Sequence, residues 1–200
     1  MTTKTKGEAF EERVFEALAA EVQAGRLWVS PNSVKVFKKR AYYSRDRDSN
    51  VITDVAIEAY LPGRDRPSLV WVFECKDYSG AVPVDDLEEF HAKLQQIGED
   101  NTKGTFVTSG ALQRGALAYA RSKKIGVVRL LPDSQIIHVI EFLGHRGGAK
   151  SVQTDWSEFD SALTVSDHRS RRGFFAAMDG FLFGNWHSVL SHELPAGGGR

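Results

Sequence analysis

Over residues 7–24 the apolar positions Phe10, Val14, Phe15, Leu18 and Val22 recur at helical spacing, with Glu8, Glu11, Glu12, Arg13 and Glu16 between them. This predicts an amphipathic first helix that stops at Gly25, its acidic turns placed toward the positive end of the helix dipole. The period then shortens to two. Residues 33–43 (SVKVFKKRAYY) and 51–60 (VITDVAIEAY) predict strands, the second one broken by Asp54. A third run, SLVWVFECK over 68–76, is almost continuously apolar and bounded by turn residues, as suits a central strand covered on both faces. It ends in Glu74-Cys75-Lys76. The intervening LPGRDRPS reads as a hairpin connection, so the second and third strands are expected to be antiparallel neighbours.

Helical spacing returns at 84–97 (VDDLEEFHAKLQQI), with Leu87, Phe90, Leu94 and Ile97 as the stripe and Gly98 at its end. A short buried strand is predicted at 104–109, a helix of small residues at 111–124, and strands at 125–131 and 135–143. Alternation of strand and helix requires a parallel pairing with a right-handed crossover. The expected fold is therefore α/β, a mixed central β-sheet flanked by helices in the order α-β-β-β-α-β-α-β. Past Gly144 the pattern weakens: Gly147-Gly148 suggests a linker, and TDWSEFDSAL and RRGFFAAMDGFLF suggest short helices. The chain is accordingly divided into a domain at 1–143 and a C-terminal extension at 144–200, for which packing or oligomerisation is the expected role.

A chain of 200 residues, 42% of them hydrophobic, can build a substantial core. Its 26 basic and 26 acidic residues cancel, which argues against extended nonspecific wrapping of DNA and leaves room for a local basic face. The densest such patch is Lys35, Lys38, Lys39, Arg40, Arg45 and Arg47, interleaved with Phe37, Tyr42 and Tyr43. It can contact phosphates, or it can be a solvated strand edge guarded by lysines. The single cysteine, Cys75, excludes an intrachain disulfide and a cysteine-built zinc site and fits a reducing compartment. With neither a signal-peptide pattern nor an uninterrupted apolar segment, a cytoplasmic protein without membrane contact is expected.

Strand alternation places Glu74 and Lys76 on one face and Cys75 on the other, while Asp54 arrives from the neighbouring strand. A carboxylate inside a strand needs a cation or donors around it. A metal would supply this, and so would a structural bridge to Lys76 or an arginine. Two carboxylates offering hard oxygens can hold Mg²⁺ while leaving waters in place, the arrangement required to hydrolyse a phosphodiester.

Three pieces of sequence together resemble the PD-(D/E)xK nuclease superfamily, in its Mrr-like restriction endonuclease branch, over about residues 7–131. They are the G-x-x-F-E pattern at Gly7, Phe10 and Glu11; Asp54 with Glu74 and Lys76; and the trailing TFVTSGALQRGALAYARSKKIGVVRL. Thr53 stands where the superfamily's name has Pro. The resemblance implies a restriction-endonuclease-like core and a Mg²⁺-dependent endonuclease acting on DNA, with Mn²⁺ as substitute, in restriction, defence against foreign DNA or DNA processing. It implies that Asp54, Glu74 and the backbone carbonyl of Cys75 hold the metal, and that Lys76 orients or activates water. Glu11 would contact the metal through water or fix Lys76, with Glu12 the neighbouring candidate. Gln95 or Gln113 would position the scissile phosphate. A catalytically silent module for DNA binding or assembly and a Holliday junction resolvase-like enzyme are the rival readings. Restriction-like nucleases commonly act as dimers, so a homodimer is expected, and with no recognisable sequence-reading domain and a neutral net charge, targeting falls to a partner protein or a local patch.

Overall fold

The computed structural model describes residues 3–25, 27, 30–98, 101–136 and 156–194. Helix α1 (Thr3–Gln23) leads into strands β1 (Val34–Lys38), β2 (Ala41–Ser44), β3 (Ser49–Ile52), β4 (Val55–Ala59) and β5 (Leu69–Lys76). There follow α2 (Val84–Ile97), β6 (Thr102–Thr108), α3 (Arg114–Ser122) and β7 (Gly126–Leu130). The C-terminal part supplies α4 (Trp156–Thr164), β8 (Phe174–Met178), β9 (Phe181–Phe183) and α5 (Trp186–Glu193). A seven-stranded sheet runs β1-β4-β5-β6-β7-β8-β9, and β2 pairs with β3 as a separate hairpin. β5, β6 and β7 are parallel and the other pairings antiparallel, so the expected mixed sheet flanked by helices is the fold observed.

Every residue of β5 from Val70 to Cys75 is buried, and the reason is two separate cores. Trp71, Phe73 and Cys75 face α1 and α5 with Phe10, Val14, Leu18, Trp186 and Leu190. Val70 and Val72 face α2, α3 and α4 with Leu87, Phe90, Leu117 and Phe159. Each large apolar side chain so enclosed contributes roughly 1.5–3 kcal/mol. β5 is thereby clamped from both sides, which fixes where its last residues point.

The structure departs from the sequence reading in three places. Residues 33–43 and 51–60 are each two strands rather than one, because Lys39 takes a left-handed backbone (φ 52°) and Asp54 stands opposite it. Two ladder bonds cross the kink, Lys39 N–H to the Asp54 carbonyl and Thr53 N–H to that of Arg40, both 2.9 Å. Beyond it the β2–β3 hairpin turns away from the sheet and packs on α2. Second, RRGFFAAMDGFLF is a β-hairpin, not a helix. Asp179 (φ 49°) and Gly180 (φ 83°) are both left-handed, the two-residue turn whose twist suits paired strands. Third, the strand expected at 135–143 falls mostly outside the described residues. Gln135 closes a short 3-10 turn, Ile136 makes a single bridge to Ser170, and β8 pairs alongside β7. The boundary at 143/144 also lies outside the described residues.

Arg129 of β7 is 1% exposed, and among the described residues no carboxylate pairs with it. Its Nη1 donates to the carbonyls of Ala162 (2.5 Å) and Val165 (2.7 Å), and Nη2 to that of Ser166 (3.2 Å) and to Gln135 Oε1 (3.1 Å). Its Nε donates to the Ser109 carbonyl at 3.3 Å. The guanidinium thus caps the C-terminal end of α4, where a cation suits the unpaired carbonyls, and binds that helix to the sheet. Burial pushes its pKa down to about 10, which still leaves it charged at neutral pH.

Candidate active site

The kink places Asp54 one step beyond the Val55–Phe73 pair, opposite Glu74. Its Oδ2 accepts the backbone N–H of Cys75 at 2.9 Å, and its Oδ1 accepts from Lys39 Nζ at 2.9 Å. Lys39 Nζ also lies 2.6 Å from Glu11 Oε2, so one ammonium joins the carboxylates of α1 and the kink. Glu11, rather than Glu12, faces this cluster; Glu12 pairs with Lys38 on the outer side. Glu11 is expected from the resemblance to contact the metal through water or to fix Lys76; the lysine it pairs with is Lys39.

Glu74 has a side chain only 9% exposed. Its Oε1 is 3.5 Å from Lys76 Nζ, and its Oε2 accepts from Lys93 Nζ of α2 at 2.6 Å. Lys93 is the contact that the sequence reading missed. In VDDLEEFHAKLQQI it sits on the polar face of a helix and looks solvated, and Gln95 two positions on was chosen instead. Gln95 lines a different cavity, discussed below, and Gln113 stands at the N-terminal end of α3.

Burial raises the Glu74 carboxyl above its ordinary range, the nearby Asp54 charge adds to this, and Lys93 and Lys76 offset part of it. For Lys76, burial pulls toward the neutral amine, but the charges of Glu74, Asp86 and Asp54 overcome it and the net shift is upward. In the metal-free protein Lys76 is therefore an ammonium, able to orient water and offset charge. Lys39 is also raised: burial opposes its charge, while hydrogen bonds to Glu11 and Asp54 outweigh that. The Cys75 thiol faces the α1 core and is pushed well up, by burial first and then by Asp54, Glu11 and Glu74, so it stays protonated.

The donor set suits a hard divalent cation. Asp54 and Glu74 are close enough for one charge to raise the other, a repulsion that bound Mg²⁺ would relieve. Asp86, in the first turn of α2, acts electrostatically on Lys76, and its Oδ2 is buried without a hydrogen-bond partner. It is a further candidate donor that sequence did not single out. A second group, Asp179, His192 and Glu193, has ligand atoms within 4.8 Å of one another, but Lys103 already bridges its two carboxylates. It lies by the β8–β9 turn, toward the start of β7, whereas Asp54 and Glu74 lie at the end of β5.

The basic patch around β1 and β2 is largely matched by acids. Lys38 pairs with Glu12, and Arg40 Nε lies 3.1 Å from Glu58 Oε1 with its guanidinium over the Phe37 ring. Lys35 lies over the Tyr60 ring, and Arg45 is exposed in the β2–β3 turn. Glu58, fully buried, is held by Arg40 and by the hydroxyls of Tyr42 and Tyr60.

A carboxylate at a strand kink, a Glu-x-Lys at the end of the adjacent central strand and a first-helix glutamate, on a mixed sheet between helices, define a PD-(D/E)xK nuclease fold. The chain belongs to the restriction endonuclease family of the Mrr catalytic domain, whose model matches residues 4–140. No curated relative matches the sequence. A solved structure titled "Crystal Structure of Protein of Unknown Function AF1548" is similar at a TM-score of 0.39 and 14% identity, over 56% of each chain.

Glu74→Gln should raise the melting temperature of the metal-free protein at pH 7, because it removes a charge the fold disfavours. A carboxyl whose folded pKa is raised loses stabilisation as pH rises from its unfolded range through the folded value. The difference between variant and parent should therefore shrink as pH falls toward 4, where the parent carboxyl is protonated too. Thermal unfolding in EDTA at several pH values measures it.

Proposed function

We propose that the chain is a Mg²⁺-dependent endonuclease that hydrolyses phosphodiester bonds in DNA. The observation that carries this is the bond from the Cys75 amide to Asp54 Oδ2, which holds the kink carboxylate against the strand that bears Glu74 and Lys76. Asp54, Glu74 and the Cys75 carbonyl would hold the metal, with Asp86 close by, and bound Mg²⁺ would supply Lewis acidity and an acidified water. Lys76 orients the attacking water and offsets charge developing on the phosphate, while Glu11 positions Asp54 through Lys39. Lys93 orients Glu74 from α2.

Retention of Lys76 beside paired carboxylates favours this over a silent binding module. Residues beyond 143 pack on the nuclease sheet in this reading, and a homodimer would bring two such sites to the two strands of a duplex. The protein is tested with plasmid, linear, methylated and four-way-junction DNA in Mg²⁺ or Mn²⁺, with EDTA as control. Metal-dependent cleavage of at least one form is expected; binding without cleavage of any form would favour the silent module. Preference for the junction would move the reading to a resolvase-like enzyme.

A further inference from the structure

Away from Asp54 and Glu74, a cavity of about 1250 Å³ opens at the other end of the parallel strands. Lys103 on its wall pairs with Trp71, whereas Thr108 pairs with Lys76, so five residues of strand, roughly 16 Å, separate it from the Glu-x-Lys end. Lys103, Arg121, Lys123 and Lys124 line it, and among the described residues the single lining carboxylate is Asp179. Among the described residues, a chain of zero net charge thus gathers four cations against one carboxylate in one concavity.

The four cations are not equally committed. Lys103 is held by Glu193 and Asp179, and Arg121 has a 3.6 Å pair with Asp160 in which both side chains are over half exposed. Such a pair contributes little. Lys123 and Lys124 have no carboxylate partner among the described residues, and Lys123 lies over the Tyr119 ring. The positive field reaches inward: His91, also on the wall, is pulled below its ordinary pKa by burial and then by Lys123.

Basic residues at the end of α3 suit its dipole, but that does not account for the aromatics. Trp156 is 58% exposed and Phe181 57%, and both line the cavity. Large aromatic faces left open beside ammonium groups that meet no carboxylate among the described residues match a ligand with a phosphate and a planar base. We propose that this cavity is a second ligand site, binding a nucleotide with its phosphate at Lys123, Lys124 and Arg121 and its base against Trp156. The site is independent of the nuclease reading.

The test uses the full chain in EDTA, which keeps metal-dependent binding at the Glu-x-Lys end out of the measurement. Calorimetry with AMP, GMP, CMP and UMP, and with the dinucleotide pApA, measures affinity and separates a free nucleotide from a strand end. Saturable binding is expected, accompanied by quenching of Trp156 fluorescence, read as the difference between the parent and Trp156→Phe so that the signals of Trp28, Trp71 and Trp186 cancel. Adenosine and inorganic phosphate should each bind at least roughly tenfold more weakly than AMP. Lys123→Glu with Lys124→Glu should weaken AMP by at least about tenfold. Trp156→Ala should also weaken it, whereas Trp156→Phe keeps an aromatic face and should retain binding but lose the quenching. Lys76→Ala should leave AMP binding unchanged. Absence of saturable binding up to about 1 mM overturns the proposal. So do undiminished affinity in the double charge reversal, phosphate binding as tightly as AMP, or loss of binding in Lys76→Ala.

Discussion

Lys76→Ala should cut metal-dependent DNA cleavage by at least about 10²-fold, the usual cost of removing one preorganised charge from a transition state. The side chain is about one-third exposed and makes a 3.5 Å pair with Glu74, which retains Lys93 as a closer partner. The fold therefore loses little, and the melting temperature should move by no more than a few degrees. Lys76→Arg should remain strongly impaired, because a planar fork cannot take the place of a compact ammonium beside Glu74 and Asp86. Single-turnover cleavage alongside thermal unfolding separates chemistry from stability. Parental cleavage by a folded Lys76→Ala protein would remove Lys76 from the mechanism and leave the metal alone to handle the water.

Arg129→Met should be among the strongly destabilising single changes in the described sheet. Five N–H groups disappear, and the acceptors at Ser109, Gln135 and Ala162 lose the guanidinium outright, while the carbonyls of Val165 and Ser166 keep the His168 N–H and Gln135 Nε2. Bonds to a charged group contribute about 1.5–3 kcal/mol each, but the carbonyls at the end of α4 can recover some water. A net loss of roughly 3–5 kcal/mol is expected, a range reached when a buried network is broken. For a chain of this size that is a fall in melting temperature on the order of 10 °C. Arg129→Lys keeps the charge but reaches fewer acceptors and should fall between the two. Urea unfolding midpoints measure the series, and a loss below about 1 kcal/mol would show that α4 stays on the sheet without the guanidinium.

Much of this was legible in the sequence because it rests on local pattern. Periodicity gave α1, α2 and α3, and the apolar run gave β5 with its buried flanks. Asp54 and Glu74 on adjacent antiparallel strands followed from the turn-rich link between them. The rest depends on contacts between distant residues. The kink at Lys39 brings its side chain between Asp54 and Glu11 from two other elements, and nothing in VFKKRAYY announces it. Lys93 and Asp86 look like ordinary polar positions on α2 until the helix is laid against the end of β5. The β8–β9 hairpin is a different case. Its Asp179-Gly180 turn was readable, and the aromatic run around it drew the helical reading instead.

That hairpin also bears on where the folding unit ends. The family match stops at residue 140, yet β7 completes one side of its ladder with β8, which begins at Phe174. A chain cut after the matched segment would keep every proposed catalytic residue and present β7 as a bare, adhesive margin of unpaired amides and carbonyls. The catalytic inheritance and the means of staying in solution thus lie in different parts of the chain.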